Sequence, residues 1–119
     1  IPEEADFTET IFMHPTILFR YSAIGFVGHR IHYDYPYTKN EENYPDLIVH
    51  GPLQATFLLR AAEKLKGKTV TSFNHKVMAP VFANSDYIIG AKENTDGSVS
   101  CWGAVKGSGM TMQAEAYFE

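Results

Sequence analysis

Only one cysteine, Cys101, occurs among the 119 residues, so no disulfide can form within the chain. That fits a reducing compartment, and the chain is read as cytoplasmic. No run of about 18 apolar residues is present to span a bilayer, so no membrane segment is expected. Basic residues are scarce, ten Lys and Arg against fourteen Asp and Glu, for a net charge of −4. With no cationic surplus to neutralise a run of phosphates, nucleic acid is not expected as a partner. Internal repeats and low-complexity tracts are also missing. The first residues, Ile1-Pro2-Glu3-Glu4-Ala5-Asp6, lack the basic-then-apolar order of a secretion signal and are expected to form a flexible tail. The chain starts at Ile1 rather than Met, which suggests a trimmed or processed product, or a piece of something longer.

What the chain does have is apolar mass. Hydrophobic residues make up 45% and charged residues 20%, enough for one packed domain over residues 1–119. Phe7 to Met13 is rich in β-formers and reads as a strand. His14-Pro15-Thr16 breaks it, and Ile17 to about Phe26 reads as a short helix with Thr16 as N-cap. From Val27 to His50, tyrosines interleave with Pro, Asn and Glu. This is read as an irregular segment with room for one helical turn, and so long a loop in a small domain is more often functional than filler.

Pro52 to Lys66 is the clearest helix. Proline suits its first turn, Leu53, Phe57, Leu58, Ala61 and Leu65 share one face, and Gly67 can end it in a left-handed conformation. Strands are expected over Thr69–Met78, Ser85–Glu93, Ser98–Lys106 and Met110–Phe118. Asn94-Thr95-Asp96-Gly97 and Gly107-Ser108-Gly109 join the last three as turns. In the final strand, Met110, Met112, Ala114, Ala116 and Phe118 point one way, and Thr111, Gln113, Glu115 and Tyr117 the other. A run of antiparallel strands segregated from one long helix indicates α+β, with the sheet wrapped on that helix, which is the hotdog arrangement.

Chemistry concentrates in two places. Gly28-His29-Arg30-Ile31-His32-Tyr33-Asp34 puts two imidazoles in a glycine-containing loop, and His50-Gly51-Pro52 opens the long helix. An imidazole moves protons near neutral pH. The first amides of a helix lack intrahelical acceptors and sit at its positive end, so they can polarise a carbonyl. Each residue also has a plainer reading. His29 fits a surface loop, Asp34 a cap, Arg30 a solvated cation, His50 a loop contact and Gly51 a simple chain turn. The five histidines are dispersed and no metal-ligand spacing stands out, so no metal or cofactor is expected.

Taken with Leu18-Phe19-Arg20-Tyr21-Ser22-Ala23 and Tyr44-Pro45-Asp46-Leu47-Ile48-Val49-His50-Gly51-Pro52-Leu53-Gln54-Ala55, the histidine loop resembles the MaoC-like hydratases and dehydratases. The likeness is to the C-terminal half of the mesaconyl-CoA hydratase and 3-hydroxyacyl-thioester dehydratase branch. It implies a hydro-lyase acting on a 2-enoyl or 3-hydroxyacyl thioester carried by CoA or a carrier protein. His32 would be the acid/base and the Gly51 amide the oxyanion donor. His29, Arg30, Tyr33, Asp34 and His50 would meet the substrate. In that family an Asp or Asn stands five residues before the histidine, where this chain has Val27, which carries no proton. Members of the branch commonly hold two hotdog repeats. The resemblance therefore implies that the missing half comes from a second copy, as a homodimer or higher homo-oligomer, or from another subunit.

Val27 keeps a second reading open, a non-catalytic acyl-thioester-binding subunit that needs a partner chain. A hotdog thioesterase is a third. Such enzymes usually place a carboxylate near the helix start, and Val49, His50 and Gly51 provide none.

Overall fold

The computed structural model describes Pro2 and residues 4–119. The chain runs β1 (Phe7–Phe12), α1 (Pro15–Ile24), a 3-10 turn (Arg30–His32), α2 (Tyr35–Asn40), α3 (Gly51–Lys66), β2 (Ser72–Val77), β3 (Asp86–Glu93), β4 (Val99–Val105) and β5 (Gly109–Tyr117). The five strands form one antiparallel sheet in the order β1-β3-β4-β5-β2. Helix α3 lies mainly against β3, β4 and β5. This is the expected α+β hotdog arrangement.

The meander β3-β4-β5 forms where its turn residues allow. Gly97 and Gly107 take φ of 88° and 85° in the two connections, a region open to glycine without penalty. Tyr87, Ile89 and Ala91 of β3, Val99 and Cys101 of β4, and Met112, Ala114 and Ala116 of β5 alternate onto the helix side and are buried. Helix α3 ends at Gly67, which takes φ 71°. Its buried face consists of Leu53, Gln54, Ala55, Leu58, Ala61 and Ala62, with Phe57 and Leu65 only partly buried at the margins. The small alanines let the helix approach the sheet closely.

Several expected boundaries shift. Helix α1 starts at Pro15 with His14 as N-cap, and no side chain caps it, so Thr16 does not have that role. Proline at N1 fixes φ where the helix begins. The helix stops at Ile24 because Gly25 and the positive φ of Phe26 (54°) turn the chain away. Strand β2 is shorter than Thr69–Met78, since only Ser72 to Val77 pair with β5. Of the stretch expected as a tail, Ile1 and Glu3 lie outside the described residues. Asp6 donates its N–H to the Ala91 carbonyl at 2.9 Å and accepts from the Glu93 amide at 2.9 Å.

The alternation of the last strand breaks at Thr111. Gly103 pairs with Met112 and Ala104 with Met110, so Thr111 is an extra residue opposite the step between them. This bulge turns a residue expected on the outer side into the interior, where Thr111 is 3% exposed. Its hydroxyl reaches the Gly103 carbonyl (3.3 Å) and Gln54 Oε1 (3.5 Å). The buried Tyr87 hydroxyl donates to the same Gln54 oxygen at 3.4 Å. Gln54 is therefore a core residue, because two hydroxyls from the sheet satisfy its amide.

Tyr87 reaches that position only because residue 103 has no side chain. A Cβ on Gly103 would land on the tyrosine hydroxyl. We expect Gly103→Ala to destabilise the fold by about 1–3 kcal/mol through overpacking, measured by urea denaturation. An unchanged midpoint would show that the ring can move aside.

Candidate active site

The site is assembled at the N-terminal end of α3. Residues 47–49 are held from two sides. The Val49 amide donates to the Val81 carbonyl and the Ala83 amide to the Leu47 carbonyl, both at 2.8 Å. From the other side, the Ile48 amide donates to the Ile31 carbonyl at 2.9 Å. The return bond comes from a side chain, with His32 Nδ1 lying 2.6 Å from the Ile48 carbonyl oxygen. A carbonyl only accepts, so Nδ1 carries the proton and the neutral ring keeps its lone pair on Nε2.

His32 is half-buried, and its ring stacks on His50 with centroids 3.8 Å apart and planes 17° apart. His29 meets the His32 ring edge-on at 5.7 Å. Burial holds the His32 imidazole below its ordinary value. The His29 charge acts in the same direction, and the bond to Ile48 opposes both. His32 is therefore mostly neutral at pH 7, with a free basic nitrogen.

His50 is the N-cap of α3 and is 2% exposed. Its Nε2 lies 2.8 Å from the Ser22 hydroxyl, and Tyr21 meets its ring edge-on at 4.6 Å. Burial, and then the neighbouring His32, push the His50 imidazole down to about 4. Gly51, next in the chain, is the first residue of α3 and half-buried. Its N–H has no acceptor among the described residues. His32, His50 and the Gly51 amide thus lie together at one end of the long helix.

The remaining candidates separate. Arg30 is tied to Asp34, with Nε at 3.0 Å and Nη2 at 2.9 Å from Oδ2, and lies over the Tyr37 ring at 4.0 Å. Asp34 caps α2 by accepting from the Tyr37 amide at 3.1 Å. That bond first, and Arg30 second, hold its carboxyl below the usual range. The Tyr33 hydroxyl donates to the Gly28 carbonyl at 3.0 Å. Phe26 is 95% exposed and lies away from this cluster's interior. Val27 borders a shallow apolar depression of about 180 Å³ with Phe19, Ser22, Ala23 and Tyr33. Among the described residues, no group of three or more His, Cys, Asp or Glu side chains is arranged to hold a metal. The Cys101 thiol is buried and pushed up to about 12, chiefly by that burial, so it is not a nucleophile.

A family model described as hydroxyacyl-thioester dehydratase type 2 matches residues 1–83. The chain belongs to that family. It is 42% identical over 89 residues to mesaconyl-C(4)-CoA hydratase of Chloroflexus aurantiacus, covering 75% of this chain and 32% of that protein. To the mitochondrial hydroxyacyl-thioester dehydratase type 2 of Schizosaccharomyces pombe it is 37% identical over 73 residues, covering 59% and 24%. It thus spans about a third or less of the length of these curated relatives. A MaoC-like dehydratase from Phytophthora capsici superposes with a TM-score of 0.80 at 19% identity, covering 100% of this chain and 42% of that one. This supports the hotdog fold, and the resemblance carried by the three sequence blocks holds. Among the described residues, no helix of this family member is long and apolar enough to cross a membrane.

Ser22 is the residue that sequence reasoning missed as part of the cluster. It stood within the quoted block, but a serine inside a short helix gives no sign of a partner twenty-eight residues away.

The buried His50 predicts a pH dependence of stability. An unfolded imidazole binds a proton near pH 6.5, whereas the folded one does so only near 4. Between those values the unfolded state holds more protons, so stability is full above that range and is lost as pH falls through it. The loss should approach about 3 kcal/mol by pH 4, measured by urea denaturation across a pH series. His50→Phe should flatten most of that slope and leave the smaller contribution of His32. A slope that survives this change would assign it elsewhere.

Proposed function

We propose that this chain is a hydro-lyase domain that adds water to a 2-enoyl thioester, or removes it from a 3-hydroxyacyl thioester, carried by CoA or a carrier protein. One observation carries the reading. The His32 ring is fixed through Nδ1 and keeps a free Nε2 lone pair, beside a helix start whose Gly51 amide is unpaired. The family and the two curated relatives, named for hydratase and dehydratase activities, support it.

In the hydration direction His32 Nε2 takes a proton from water as its oxygen bonds to the β-carbon. Electron density moves through the double bond to the thioester oxygen, where the Gly51 N–H and the positive end of α3 stabilise the enolate. The imidazolium then returns its proton to the α-carbon, so one histidine serves as base and then acid. No redox cofactor takes part in this scheme. In this reading His29, Tyr33, Asp34 and Arg30 border the approach, whereas His50, 2% exposed, packs against His32 and does not meet the substrate. Arg30 and Asp34 act mainly as the pair that shapes the loop.

We also propose that the protein works as a homodimer or higher homo-oligomer. Strand β2 lies at the sheet edge, with Val77 54% exposed and Met78 49% exposed. A Cβ on Gly51 would sit 3.9 Å from Val77, so this edge adjoins the helix start. An exposed edge is a surface on which another strand can pair.

Val27 favours a second reading. Its depression offers two proton-carrying side chains, and both are engaged: the Ser22 hydroxyl with His50 and the Tyr33 hydroxyl with the Gly28 carbonyl. A partner chain would then provide catalysis while this one binds thioester.

The test is hydration of crotonyl-CoA and mesaconyl-CoA by the purified protein. We expect turnover, and we expect His32→Ala to lower kcat by about 10²–10⁴-fold with an unchanged circular dichroism spectrum. Full activity in His32→Ala would remove that residue from the chemistry. Thioester binding without turnover would select the second reading.

A further inference from the structure

The proposed chemistry leaves two buried polar side chains unassigned, Ser22 on α1 and His50 before α3. Ser22 is 6% exposed and its hydroxyl proton needs an acceptor. Among the described residues the only partner of that hydroxyl is His50 Nε2, at 2.8 Å. If His50 donated from Nε2, both the serine proton and the Nδ1 lone pair would be left unpaired. If Ser22 donates, only the His50 Nδ1–H is left over, and Nδ1 is indeed the nitrogen of this ring that has no partner. The second arrangement leaves fewer orphaned groups, so the lone pair of His50 is on Nε2 and the hydroxyl of Ser22 holds it there.

The other face of the contact is His32. Two stacked imidazoles cannot both carry charge at 3.8 Å, and a neutral lower ring tolerates a charged upper one. We propose that His50, anchored by Ser22, is a positioning residue for His32. It forms a neutral platform that sets the plane of the His32 ring and the aim of its Nε2, and it shields one face of that ring from water. This deepens the hydro-lyase reading and rests on it for the role of His32. The groups facing His32 are His29 from the loop, His50 at the start of α3 and the Ile48 carbonyl, with the Arg30–Asp34 pair on its own turn. From α1, Tyr21 closes the edge of the His50 ring. None of these is an anion in contact with His32, so burial, to which the stacked His50 ring contributes, outweighs the Ile48 bond and is aided by His29.

Ser22→Ala tests this two links away from the reacting nitrogen. Without the hydroxyl the His50 ring can tilt out of the stack, admitting water to His32. The NMR titration of the His32 ring should then move up toward its ordinary value. With crotonyl-CoA, kcat should fall roughly tenfold, the size of one lost hydrogen bond's ordering, with KM unchanged. Ser22→Thr, which keeps the hydroxyl, should restore both. Should the alanine variant fail to fold, Ser22→Cys, a weaker donor of similar size, should move both readouts in the same direction. A His32 titration curve in Ser22→Ala or Ser22→Cys that overlays the wild type overturns the positioning role, whatever the activity. A curve that moves while even the wild type leaves crotonyl-CoA untouched upholds the positioning role and removes the hydratase reading instead.

Discussion

The bond from His32 Nδ1 to the Ile48 carbonyl, 2.6 Å long, is the constraint on which the site depends. It closes a clasp whose other half is the Ile48 amide bonded to the Ile31 carbonyl. Together they join an irregular loop to the strand-like segment that leads into α3. The loop would otherwise be poorly fixed, since the 3-10 turn and the six residues of α2 bury little apolar surface. With the clasp in place, the ring has one tautomer, one face against His50 and one nitrogen left over. Ring geometry and the choice of reactive atom follow from one short hydrogen bond, while burial keeps the ring neutral against it.

The fold was legible from the sequence because its signals are local. Gly67, Gly97 and Gly107 mark ends and turns where positive φ is needed, and each takes it. The period-two pattern of β5 and the apolar stripe of α3 gave element type and facing. What escaped was the interior placement of polar side chains. Thr111 sits on the wrong phase for burial, and only a bulge brings it in. Nothing local marks Gln54 for the interior, and its place there is explained only by the hydroxyls of Tyr87 and Thr111 set against it. These groups are distant in sequence, and their pairing exists only once the sheet closes over the helix.

The site divides in the same way. His32 and Gly51 are candidates from residue type, helix position and family resemblance, and the fold brings their segments together. Asp34 has the cap role of its plainer reading, while Arg30 is neither simply solvated nor free for an anion, because a four-residue spacing on a turn pairs it with Asp34. The Ser22–His50 contact carried no local sign, since it bridges α1 and α3 through space. Val27 remains a departure that geometry does not repair. The hydroxyls beside it, on Ser22 and Tyr33, are bonded to His50 and to the Gly28 carbonyl.

The bulge in β5 has an evolutionary consequence. Thr111 enters the core as one surplus residue, and its hydroxyl shares an acceptor with Tyr87, which itself needs a bare backbone at Gly103. Shortening that strand by one residue would strand the glutamine amide of α3 in a dry interior. Positions 54, 87, 103 and 111 are thus one heritable unit. A lineage that loses the extra residue is under pressure to exchange the glutamine, the tyrosine and the glycine with it.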